Sequence, residues 1–126
     1  MNWKEPLRER LMAVQAERAF QRKSSDALIS AIWNAYADVT HGVVDRTICE
    51  RSPNGFRLFD RAVTWTRSAE DAFTVSCSDD ADPYTFTRTD GAWHVAVGEG
   101  APEKVTLLAY ERFIYQWLTG SRPISS

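Results

Sequence analysis

The spacing of apolar residues changes period along the chain. Leu7, Leu11 and Val14 recur at i, i+4 and i+7, with Met12, Ala16 and Phe20 beside them. That pattern predicts a first helix with its Arg and Glu side chains in water. Pro6 suits a first helical turn. Lys23-Ser24-Ser25-Asp26 interrupts the pattern, and Ser24, Ser25 or Asp26 supplies a cap for a second helix. The alternative is one long helix without a break. Residues 26–39 are apolar on most sides, as in a helix that is central or covered by a partner. Thr40-His41-Gly42 ends it, with Gly42 as left-handed cap.

Beyond Gly42 the pattern shifts to β-branched and aromatic residues with turn punctuation. Residues 43–51 fit either a helical turn, through Val44 and Ile48, or a strand. Strand is preferred, because Pro53-Asn54-Gly55 reads as a three-residue hairpin loop. Residues 56–67 read as one long strand, bulged where the apolar parity changes between Leu58 and Val63. Residues 72–78 alternate cleanly, and 79–83 form a polar loop. Asp90-Gly91 predicts a type I′ hairpin between 84–89 and 92–97. That register sets Arg88 opposite Trp93, Phe86 opposite Val95 and Tyr84 opposite Val97, on the core side. Thr85, Thr87, Thr89, Ala92, His94 and Ala96 take the wet side. A last helix covers 103–119, ended by Gly120 and Pro123, with 121–126 as a frayed tail.

The expected fold class is α+β. Two N-terminal helices (or one broken helix) precede a four- to five-stranded antiparallel meander, and one C-terminal helix packs on one sheet face. Residues 1–120 form one domain, as a 126-residue chain with 44% hydrophobic residues permits.

Charge and composition narrow the function classes. No apolar run approaches the ~18 residues of a membrane span, and the charged start has no signal-peptide core, so the expected location is cytoplasmic. Fifteen basic against seventeen acidic side chains disfavour a strong global pull on nucleic acid. The charge is uneven, however. Residues 1–23 hold six basic and three acidic groups, and residues 70–103 hold eight acidic groups against Arg88 alone. Such asymmetry steers charged partners or simply solvates a face. Cys49 and Cys77 have no CxxC spacing and read as buried small hydrophobes. The five tryptophans spread over different elements and read mainly as core bulk, with Trp65 the expected exception.

Candidate chemistry is sparse. His94 falls on the wet face opposite Thr87, where an exposed cross-strand pair is expected. His41 reads as a loop or capping residue. Asp79, Asp80 and Asp82 lack the ladder and closing Glu of a calcium loop and read as turn acids. No phosphate loop, nucleophile elbow or zinc motif occurs. No catalytic residue, metal ligand set or cofactor is therefore assigned. Arg57, Phe59, Arg61, Val63, Trp65 and Arg67 interleave at period two. They suit a structural rim, a protein interface or a single-stranded nucleic-acid platform. The leading expectation is a small protein-binding module of adaptor, chaperone-like or immunity type, with a protein partner or a homodimer. It acts through that Arg/aromatic face (Arg57, Phe59, Arg61, Trp65, Arg67, His94) or through surplus apolar surface on the helices at 26–39 and 103–119. The competing class is an enzyme or small-molecule binder with an aromatic cavity lined by Trp33, Trp65, Trp93 and Tyr84 and an Asp–His pair. Nucleic-acid binding is the third.

Overall fold

A computed structural model describes residues 2–120. The described elements run α1 (Lys4–Gln21), α2 (Ser25–Thr40), β1 (Cys49–Ser52), β2 (Gly55–Leu58), β3 (Arg61–Ala69), β4 (Ala72–Cys77), β5 (Tyr84–Thr89), β6 (Ala92–Val97), β7 (Glu103–Lys104) and α3 (Leu107–Thr119). The α+β class holds, but the antiparallel sheet has seven strands in sequence order rather than four or five.

Two corrections account for the added strands. The parity change between Leu58 and Val63 is a hairpin, not a bulge: Leu58 pairs with Arg61 across Phe59-Asp60. A two-residue turn reverses side-chain parity just as one inserted residue does. Glu103–Lys104, expected to open the last helix, instead extends along His94 and Val95 as β7. Of residues 43–51 only 49–51 are strand, within β1, and the loop before β2 has two residues, since Ser52 pairs with Gly55. Gly55 is required there, because a Cβ would lie 2.3 Å from the Val63 carbonyl oxygen. The β5–β6 register is the expected one, with Arg88–Trp93, Phe86–Val95 and Tyr84–Val97 opposed. The expected frayed tail at 121–126 lies outside the described residues.

Capping groups mark the helix ends. The Ser24 hydroxyl accepts the Ala27 N–H at 3.3 Å and the Thr106 hydroxyl accepts the Ala109 N–H at 3.1 Å. Gly120, at φ 74°, closes α3. Buried Ser25 ties the start of α2 to the β3–β4 turn, its N–H donating to Glu70 O at 2.8 Å and its hydroxyl to Ala69 O at 2.6 Å.

α2 and α3 both cover one sheet face, and the buried residues form one cluster. Toward β1–β3, Trp33 meets Trp65 edge-on at 4.8 Å and Tyr36 stacks on Phe56 at 4.5 Å. Toward β4–β6, Phe73 stacks on Phe86 at 4.8 Å, and Phe86 receives Tyr110 and Trp117 edge-on. Each such pair adds roughly 0.5–1.5 kcal/mol to its area term. The opposite face carries Thr64, Thr66, Thr74, Ser76, Thr85 and Thr87 and meets water.

Candidate functional site

The Arg/aromatic series does not form an exposed platform. Arg61, Val63, Trp65 and Arg67 share the core-facing side of β3, and Trp65 is only 5% exposed, so it is not the exception among the tryptophans. The reason is the aromatic contact across the layer: Trp33 and Phe56 cover its ring. Arg61 lies at one end of the strand, where Nε donates to Asp79 Oδ2 at 2.7 Å and Nη1 to Trp117 O at 2.7 Å. Arg67 pairs with Asp26 at 2.9 Å. Arg57 belongs to β2, and its guanidinium donates to the carbonyls of Arg46, Thr47 and Phe59. Arg57 and Arg61 are thus committed to carbonyls and Asp79 of the same fold, Arg67 stays exposed in its surface pair with Asp26, and Trp65 is core. Phe59 stands apart at the β2–β3 turn, exposed and at φ 56°. His94 is half-buried on the Thr-rich face opposite Thr87. Its Nδ1 lies 3.0 Å from Ala92 O, which requires a proton on that nitrogen, and 3.3 Å from Thr89 Oγ1.

Of the rings expected to line a cavity, Trp65, Trp93 and Tyr84 are buried in the core and Trp33 packs half-buried against it. Trp93 is fully buried, its N–H groups bonded to Gln21 Oε1 and Lys23 O. Tyr84 donates to Asp80 Oδ2 at 2.8 Å and accepts from Gln116 Nε2 at 2.7 Å. Burial and the Asp80 carboxylate push its phenol up to about 12. Burial raises the Tyr110 phenol as well, and its O–H donates to Leu28 O at 2.7 Å. Among the described residues no three His, Cys, Asp or Glu side chains gather as a metal set. Cys49 and Cys77 are buried and not joined.

Among the described elements α1 carries four exposed large apolar side chains, Leu7, Leu11, Met12 and Val14, with Trp3 just before it. Its last turn is anchored tightly. Phe20 is buried, and the Gln21 side chain donates to Val105 O at 2.8 Å and Glu17 Oε2 at 2.9 Å while accepting the Trp93 N–H at 2.7 Å. Glu17 Oε1 accepts the Leu107 N–H at 3.0 Å, at the start of α3. N-terminal to Glu17 every described residue of α1 is exposed. The thirteen residues from Lys4 to Ala16 extend about 20 Å past this anchor at 1.5 Å per residue. α2 and α3 already cover the sheet, so the apolar stripe of α1 has no sheet surface to bury against.

That stripe is ordered by sequence. With 3.6 residues per turn, Trp3, Leu7, Leu11 and Val14 fall within roughly 80° of arc. Trp3 is 63% and Leu11 62% exposed. The stripe runs into a groove of about 610 Å³ between the second half of α1 and the β6–β7 edge. Val14 and Ala13 line its apolar floor, with Arg10, Arg18, Arg22 and Lys104 around it. On α2 and α3, where surplus apolar surface was expected, Val39, Leu108 and Tyr115 are exposed, with a groove of about 460 Å³ between the helices and one of about 360 Å³ beside Val39, Phe59 and Leu118.

Sequence reasoning found Leu7, Leu11 and Val14 as the apolar positions of a first helix without saying what they meet, and it read Trp3 with the other tryptophans as core bulk, whereas Trp3 is 63% exposed. One signal was available: Lys4/Arg8, Glu5/Glu9 and Arg18/Arg22 are like-charge pairs at i, i+4, which weaken a helix standing alone. The chain matches no protein-family model, no curated protein and no solved structure.

Proposed function

We propose that the chain is a small protein-binding module whose docking surface is the stripe Trp3, Leu7, Leu11 and Val14 of α1 and the groove it leads into. The observation that carries this reading is a projecting helix with four large apolar side chains aligned and exposed. Isolated helices of this length are marginal in water, and contiguous apolar surface of this kind marks interaction sites. A partner that covers the stripe stabilises α1 and buries the surface together. Adaptor, chaperone-like and immunity roles all use such a surface.

Affinity capture from the native extract tests it. The chain, its Leu7→Asp/Leu11→Asp variant and a sheet-face control, Thr66→Glu, are compared. The expected outcome is a protein retained by the wild type and by the control but lost by the stripe variant. Equal retention by the stripe variant, or selective loss by Thr66→Glu, contradicts the reading.

A further inference from the structure

Resting on that reading, the arrangement of charge around the stripe identifies the kind of partner. At 3.6 residues per turn, Lys4, Arg22 and Arg8 fall within roughly 40° of arc along one border of the stripe, and Arg18 lies in line with it, one turn beyond Val14. Glu5 and Glu9 lie beyond them, away from the stripe. Arg10 and Lys104 add two cations at the groove itself. The one acid lining the groove, Glu17, is committed to Leu107 N–H and Gln21. The three ion pairs described, Arg61–Asp79, Arg67–Asp26 and Arg88–Asp71, use none of these cations.

We infer that the stripe and groove of α1 take an amphipathic helix of another protein, with aliphatic residues on one face and carboxylates along its flanks. The aliphatic face matches Leu7, Leu11 and Val14, and the carboxylates match the cations Lys4, Arg8, Arg18 and Arg22. Binding removes the like-charge repulsion of Lys4/Arg8 and Arg18/Arg22 within α1. A second copy of this chain fits worse. An antiparallel α1–α1 pair lays each cationic row beside its own copy, and like charges across a contact work against it. A nucleic-acid strand satisfies the cations and offers a base to Trp3, but leaves Leu7, Leu11 and Val14, three aliphatic side chains that do not stack on bases. A bilayer is flat and meets the stripe without entering the groove that Ala13 and Val14 line between α1 and the β6–β7 edge.

The test uses the full chain and two labelled synthetic helices. One carries leucines at i, i+3, i+4 and i+7 with flanking glutamates, and its twin has lysine for each glutamate. Fluorescence anisotropy is expected to show binding of the acidic helix only, weakening as salt rises. Arg18→Glu/Arg22→Glu is expected to weaken it roughly tenfold, and Leu11→Asp to abolish it, with unchanged thermal melts. Equal binding of both helices overturns the inference. So does an affinity unmoved by the charge reversal, retention of only a single-stranded oligonucleotide or anionic vesicles, or a concentration-dependent dimer that excludes the acidic helix. If the acidic helix fails while the extract capture still depends on Leu7 and Leu11, the partner's chemistry is wrong and the docking surface stands. If both fail, both readings fall.

Discussion

Gln21 holds the projecting helix to the body through one amide. Its Oε1 accepts the Trp93 N–H and its Nε2 donates to Val105 O, two backbone groups that the short β7 leaves without strand partners. Gln21→Ala orphans both. A cost of about 1–3 kcal/mol is expected from urea unfolding, and a cost near zero would mean that water replaces the amide freely. Tyr84 supplies a pH-dependent contribution at the opposite end of the core. Its folded pKa of about 12 lies above the ordinary 10.0, through burial first and the Asp80 carboxylate second. The unfolded phenol therefore ionises before the folded one. The stabilisation is complete below pH 10 and is lost as pH rises from 10 to 12. Unfolding midpoints over that window are expected to fall less steeply in Tyr84→Phe than in the wild type; parallel slopes would contradict it.

At the scale of elements, α1 and α3 show opposite outcomes from similar patterns. Both carry an apolar stripe at helical spacing, and periodicity alone gives them equal claims on the core. α3 buries Tyr110, Ile114 and Trp117 against β4–β6, whereas α1 buries only Phe20. Area decides between them, because α2 and α3 together occupy the covered sheet face. Leu7→Asp/Leu11→Asp should then leave the isolated chain's stability within about 0.5 kcal/mol of wild type. A loss of several kcal/mol, as for core leucines, would show that the stripe packs inside the fold. The strands give the complementary lesson. The β5–β6 hairpin was legible to the residue, because Asp90-Gly91 fixes both turn and register. The β2–β3 hairpin was not, because Phe59-Asp60 is no recognised turn pair and Phe59 adopts a positive φ that few aromatics tolerate.

Across the whole molecule, the α+β class, the helix breaks and the inner face of β4–β6 could be read from period and turn chemistry. The candidate site could not. Sequence spacing shows that Arg61, Trp65 and Arg67 share a face, but not that the face is turned inward by Trp33 and Phe56. The charge asymmetry was visible from the start, and the fold gives it a location: the basic segment is a helix standing off the body, with its cations beside exposed leucines. The central claim is that this helix is a contact surface for another protein. Photo-crosslinking from position 11 within the producing cells tests it most directly, with position 66 on the Thr-rich face as control. A discrete protein adduct from position 11 that is absent from position 66 is the expected result. No adduct at position 11, or the same adducts at both positions, would contradict the account.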